Sequence, residues 1–260
     1  MKKSLLIIAM ALVCSNIFAQ EKTYLLFEFM KVDNDQEQAY WETEDFWEKI
    51  HQERVKNGDI LGWDLWSLRP GGEDQGYQYM TVGVYNDPVK MFANEGDFGA
   101  ALTNAYPNMS EEEIQMKMQE TVKSRDLAIR LYVEIISGTK GDFKMELGSI
   151  AAMDFMKADN GGSYEKAEIE TFLPMHQKEV DAGTKGRWSL MRVMSPSGSD
   201  VYASHITVNM FTGFDQVFNS PDMYNEQNFS ELEMKAIEDG IKTRDLKKTI
   251  IATLVKQVKK

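Results

Sequence analysis

Beyond residue 22 the chain switches between two hydrophobic periods, and it does so twice. Tyr24 to Val32 is a short run of aromatic and β-branched residues that stops at Asp33-Asn34, which predicts a strand closed by a turn. From Gln36 to Asn57 apolar positions recur at helical spacing, and Gly58 stands where a left-handed C-terminal cap belongs. Trp63 to Leu68 and Tyr77 to Tyr85 predict two strands around Pro70-Gly71-Gly72. Ser110-x-x-Glu113 predicts a helix start in which serine and glutamate satisfy backbone donors, and Leu127 to Ile136 predicts a closing strand. The second pass has the same signals: Gly183 as a cap, strands Trp188 to Met194 and Tyr202 to Phe211 around Pro196-Ser197-Gly198, a capping box at Ser230-x-x-Glu233, and a closing strand Leu246 to Val255.

The two passes also share residues in order. Phe29-Met30-Lys31 and Asp33-Asn34 return as Phe155-Met156-Lys157 and Asp159-Asn160. At a constant offset of 125, Asp45, Trp47, His51, Gln52, Val55, Gly58, Trp63 and Leu65 become Glu170, Phe172, His176, Gln177, Val180, Gly183, Trp188 and Leu190. Lys123-Ser124-Arg125-Asp126-Leu127 returns as Lys242-Thr243-Arg244-Asp245-Leu246. Two copies are too few for a solenoid, which stacks three or more units. Each copy reads β-α-β-β-α-β, the ferredoxin-like split unit, with helices on one sheet face and an apolar surface on the other. Two such units can bury their bare faces against each other, which predicts an α+β fold in which two ferredoxin-like repeats form one pseudo-symmetric barrel. The expected divisions are a leader over 1–19, a first repeat over 20–137 and a second over 142–260, with the turn-rich Ser137-Gly138-Thr139-Lys140-Gly141 between them.

The leader has a distinct composition. Lys2 and Lys3 precede an unbroken apolar run from Leu5 to Val13, and Ile17-Phe18-Ala19 is a small-residue exit. This is the layout of a secretory signal peptide cleaved between Ala19 and Gln20, which predicts export to the periplasm or beyond. Cys14 opens a lipoprotein alternative, but Val13 is a poor fit to the small residue that such processing resembles. Cleavage removes the only cysteine, so the mature chain carries no disulfide, thiol nucleophile or thiolate ligand. It also leaves 27 bases against 41 acids, a net charge of −14. Such a surface repels nucleic acid and anionic lipid, and no second apolar run approaches membrane-spanning length.

On these residues (an acid, a large apolar residue, His-Gln, Val, Gly, then Trp) the chain resembles the dimeric α+β-barrel superfamily. Its members include antibiotic-biosynthesis-type monooxygenases, EthD-like and NIPSNAP-like proteins. The resemblance implies that two halves usually found as separate subunits are fused here, and it spans nearly the whole mature chain. It says less about function, because this fold hosts unrelated activities.

Two sets of residues are candidates for chemistry. His51 and His176 hold the same place in each copy, each between apolar neighbours four residues away: Trp47 and Val55, or Phe172 and Val180. That spacing puts each imidazole on the stripe facing the sheet, as a buried structural histidine or as a general base or ligand at the barrel's end. Asp45 and Glu170, six residues earlier, are candidate partners, although not on quite the same face. The second set is aromatic. In the monooxygenase branch that the chain resembles, the lumen holds an aromatic substrate between indole, phenol and amide groups without a cofactor, and Trp66, Tyr79 and Asn209 are residues of those types. Trp66 answers to Met191 in the second copy, which predicts an asymmetric lumen, and the methionines in strands suit an adaptable apolar cavity. Arg125 and Arg244 open the closing strands and predict ion pairs that fix strand to helix, with an anion site as the alternative. His205 stands alone on its strand opposite Tyr79 of the first copy. No paired-histidine cluster, phosphate loop, nucleophile elbow or dinucleotide fingerprint occurs, so no metal or cofactor is expected. The expectation is an exported protein that binds a small apolar or aromatic molecule in a barrel cavity. The alternatives are a cofactor-independent monooxygenase or isomerase and a non-catalytic structural or interaction protein, with a homodimer as the candidate assembly.

Overall fold

The structure, a computed structural model, describes residues 22–94, 96–219 and 229–260; the expected leader over 1–19 lies outside them. The first half runs β1 (Tyr24–Lys31), α1 (Glu37–Asn57), β2 (Gly62–Arg69), β3 (Tyr79–Tyr85), α2 (Pro88–Ala93), α3 (Phe98–Ala105), α4 (Glu111–Ser124) and β4 (Asp126–Gly138). The second runs β5 (Ile150–Ala158), α5 (Gly161–Ala167), α6 (Leu173–Asp181), β6 (Arg187–Ser195), β7 (His205–Phe211), α7 (Phe214–Asn219), α8 (Glu231–Ile241) and β8 (Arg244–Lys259). The short helices α2 and α3 fill the stretch between β3 and the first capping box, where no element was expected. Both capping boxes form, at Ser110–Glu113 and Ser230–Glu233. Gly58 and Gly183 end their helices at φ +80° and +74°, a backbone region costly for any residue with a Cβ.

All eight strands join in one closed antiparallel barrel in the order β1-β3-β2-β8-β5-β7-β6-β4. Each half supplies four neighbouring strands, and the seams are β2 on β8 and β4 on β6. The barrel therefore closes within a single chain and needs no partner subunit to remove its sheet edges. Strand alternation sorts the side chains. Leu25, Phe27, Phe29, Trp66, Met80, Met153, Ile206 and Leu254 belong to the buried cluster inside the barrel. Tyr24, Met30, Trp63, Leu65, Tyr79 and Tyr85 pack outward under the first half's helices, and Met156, Trp188 and Leu190 under the second's.

The two long helices differ at one point. In α1 a single α-helix buries Tyr40, Glu44, Ile50, His51 and Val55 along one stripe. In the second half, α5 and α6 are joined by a π-helical turn over Glu168–Phe172, which adds one residue to the stripe. The offset between corresponding residues is accordingly 124 before the turn (Tyr40 and Tyr164, Glu44 and Glu168) and 125 after it (His51 and His176). The constant offset that paired Asp45 with Glu170 is corrected here. Asp45 reaches out to Lys256 at 2.5 Å, and Glu170 is exposed, 3.9 Å from Lys166. Neither partners a histidine; the buried acids of the two helices are Glu44 and Glu168.

Candidate functional site

Each half holds a cavity between its helices and the outer face of the barrel wall. The first, of about 500 Å³, is floored by Thr81, Gly83 and Tyr85 of β3 and walled by Trp47 and His51 of α1. His51 stacks on Trp63 with ring centroids 4.8 Å apart and on Trp47 at 5.8 Å. Trp47 is itself fixed by donating to the Thr121 hydroxyl, 3.1 Å away on α4. Phe92 of α2 lies flat on Tyr132 at 4.2 Å and covers that side of the cavity. Burial, with the Arg54 charge adding to it, holds the His51 imidazole neutral and pushes its pKa down to about 3.

The charges that line this cavity cancel. Arg54, Arg125 and Arg130 face Glu28, Glu44 and Asp126. Arg125, between α4 and β4, is paired with the buried Glu44 of α1, and Arg130 binds Glu28 through two nitrogens at 2.9 and 2.6 Å. The expected strand-to-helix ion pair is thus present, made with Glu44 and not with the adjacent Asp126. Arg244 repeats it, 3.5 Å from Glu168.

The second cavity, of about 280 Å³, is smaller, and its histidine has charged neighbours that the first lacks. His176 stacks on Trp188 at 4.8 Å, as His51 does on Trp63. Here, however, Nδ1 of His176 lies 2.8 Å from the Lys185 ammonium and 3.2 Å from the Glu179 carboxylate, and Lys185 donates to Glu179 at 2.6 Å. The first half has Arg54 and Ile60 in the corresponding places. Burial, with help from the Lys185 charge and against the pull of Glu179, brings His176 down to about 4. Burial also lowers Lys185, and it raises Asp154 and pushes Glu168 up to about 6. Asp154 accepts from Thr249 at 2.6 Å.

The remaining candidates fall apart spatially. Trp66 points into the barrel, but Tyr79 and Asn209 do not, because they sit on the outward parity of β3 and β7. Tyr79 donates to Glu37 at 2.6 Å, and Asn209 donates to Asp154 at 3.4 Å in the second cavity. Trp66, Tyr79 and Asn209 therefore do not come together in the lumen. The two histidines line the helix-side cavities and not the barrel's end. His205 is held on the helix side by Glu165, with Nε2 to Oε1 at 3.0 Å. A third cavity, of about 290 Å³, lies inside the barrel beside Trp66. Sequence reasoning missed Glu28, Glu44, Glu168 and Lys185; a buried charge at helical or strand spacing among apolar residues was the available signal. Among the described residues no cluster of three or more His, Cys, Asp or Glu side chains is placed to hold a metal, and no helix is long and apolar enough to cross a membrane.

No protein-family model and no curated protein matches the chain. Solved structures match its shape over nearly their full lengths. A candidate monooxygenase from Fusobacterium nucleatum is 11% identical with TM-score 0.50, covering 92% of this chain and 94% of its own. An anthrone oxidase-like protein is 9% identical with TM-score 0.50, covering 92% and 93%. A haem-binding protein from Thermus thermophilus is 8% identical with TM-score 0.53, covering 91% and 92%. The residues here do not fit a haem. His51 is buried flat against Trp63 and His176 flat against Trp188 with Lys185 on its Nδ1, so neither imidazole stands free over its cavity to hold an iron. The cavity beside His176, at about 280 Å³, lies at the small end of ligand pockets and is too small for a haem macrocycle. At such identities the likeness is one of fold, and in fold the chain is a dimeric α+β barrel with both ferredoxin-like halves in one polypeptide.

Proposed function

We propose that the protein binds a small, uncharged aromatic molecule of the phenol or quinol class in the first-half cavity. The observation that carries this reading is the roughly 500 Å³ cavity whose wall is His51 stacked on Trp63 and whose lining holds three arginines and three carboxylates. Indole and phenol faces favour an aromatic ring. A lining of balanced charge gives no advantage to an ion, while Thr81 and the rim carboxylates can take a hydroxyl proton. The volume suits a molecule of drug-fragment size. Under this reading the chain is exported, as the layout of residues 1–19 suggests, and the two halves are copies of one unit whose cavities have diverged. Isothermal titration with 2-naphthol tests it. The wild type should show one saturable site, and Thr81→Phe, which fills the cavity floor, should abolish the heat without lowering the melting temperature. Undiminished binding by Thr81→Phe overturns the assignment.

A second reading, a cofactor-independent monooxygenase or isomerase, is favoured by the second cavity. Beside a neutral His176, burial raises Asp154 and pushes Glu168 up to about 6, which makes Glu168 a group able to exchange a proton near neutral pH. Oxygen uptake in the presence of a quinol, lost in Glu168→Gln, would support that reading over a binding role.

A further inference from the structure

Inside the barrel, the cavity of about 290 Å³ has walls unlike those of the helix-side sites. Trp66, Met80, Met145, Met153, Met191 and Met210 line it, so its surface is an indole and polarisable thioethers. One end of the lumen is filled by Phe29, with Tyr77 at 4.9 Å and Phe155 at 6.2 Å. The cavity end is closed by the connection between the halves: Phe143 lies so close over Gly186 that a Cβ there would come within 2.3 Å of its ring. Into this apolar space β2 turns Asp64, which is only 7% exposed.

Asp64 is poorly compensated. Its one hydrogen bond is from the Gln257 amide, at 3.2 Å, and among the described residues no lysine or arginine lies within ion-pair distance of it. The Lys259 charge of β8, whose ammonium donates to the Met145 carbonyl at 3.2 Å, acts on it, and Arg187 of β6 is an exposed side chain on the same cavity. Met80 and Val82 on the adjacent β3 bring no charge. At the corresponding position of the second half stands Ser189, so among the described residues Asp64 is the one acid lining this cavity. A buried carboxylate without a counter-ion is costly, and a cavity that holds one beside an indole face has the two elements that recognise an organic cation.

We propose that the barrel lumen is a second ligand site, taking a small apolar amine as its ammonium ion, with Asp64 as counter-ion and Trp66 and the methionines as walls. About 150 Å³ of apolar cavity is enough for benzene, so this one accommodates an arylalkylamine of nine or ten heavy atoms. The site is independent of the helix-side cavity. Burial pushes Asp64 up to about 7, against the Gln257 bond and the Lys259 charge, so ligand binding should draw it into its ionised form.

Calorimetric titration of the full chain with 2-phenylethylamine and its neutral analogue 2-phenylethanol, at pH 5.5 and 8, tests this. The amine should bind about tenfold or more tightly at pH 8 than at 5.5, and the alcohol should bind weakly and equally at both. Asp64→Asn, and as a second variant Asp64→Ser, should lose the pH dependence and the preference for amine while keeping the alcohol. Met191→Trp should exclude both ligands and leave 2-naphthol binding in the first-half cavity intact. Absence of amine binding in the folded wild type, or amine binding that Asp64→Asn leaves unchanged, overturns the proposal.

Discussion

His176 lies flat on Trp188, ring centroids 4.8 Å apart and planes inclined by 18°, and His51 lies on Trp63 at the same distance with 22° between planes. In both halves the imidazole comes from the long helix and the indole from the strand that follows it, so each pair ties helix to barrel. The partners around the two rings differ. His176 accepts from Lys185 beside Glu179, whereas Nδ1 of His51 is buried without a partner.

Replacing either histidine with alanine should cost on the order of 1–3 kcal/mol, read by chemical denaturation. His176→Gln, which restores an acceptor for Lys185, should recover part of that loss, and His51→Gln should recover less. Unchanged melting of both alanine variants would contradict a structural role for the pairs.

The same burial sets a pH dependence. Both histidines have folded pKa values, about 3 and about 4, below the 6.5 of an unfolded chain. The unfolded state therefore binds more protons between those values, and stability falls as pH drops below about 6.5. Each histidine should contribute about 2–3 kcal/mol of loss between pH 6.5 and 4.5. Asp64 acts in the opposite sense, since its pKa is raised to about 7 and its neutral form is the one favoured in the fold. Stability curves of His51→Gln/His176→Gln should be flatter on the acid side. Asp64→Asn should gain on the wild type, by up to about 4 kcal/mol, as pH rises from 4 to 8.

The π-helical turn makes the two long helices differ by one residue, and a deletion reads that directly. Removing Glu170 should convert the turn to regular α-helix, restore the seven-residue spacing of Glu44 and His51, and leave melting within a few degrees of wild type. Removing Asp45 from α1 turns everything beyond it by about 100° and swings His51 off its stripe. That variant should not fold cooperatively. Equal tolerance of the two deletions would contradict the account.

This turn also marks where the sequence stopped being legible. Strands, caps and the order β-α-β-β-α-β could be read from periodicity, and the closed barrel followed from two bare sheet faces. The π-turn leaves no periodic trace, because one inserted residue in an amphipathic helix looks like a shifted stripe. A constant offset then selected the exposed Asp45 and Glu170 over the buried Glu44 and Glu168. Tyr79 and Asn209 were misplaced for a related reason. Their residue types suited a lumen site, but their parity, odd with Thr81 and Thr207, points to the helix layer.

The buried pairs of Arg125 with Glu44 and Arg244 with Glu168 predict a distinct mutational pattern. Arg125→Met or Glu44→Met alone strands a buried charge and should cost about 3–5 kcal/mol, and the double substitution should recover most of it. Thermal melts of the four proteins decide whether coupling is present. Additive losses would mean the pair contributes nothing as a pair.

The central claim, an aromatic site between helix layer and barrel in the first half, is tested most directly by a crystal structure of the protein soaked with 2-naphthol. The account predicts the naphthyl ring in the roughly 500 Å³ cavity, against the wall formed by Trp63 and His51, with its hydroxyl near Thr81. Density for the ligand in the second-half cavity beside His176, with the first empty, would contradict it.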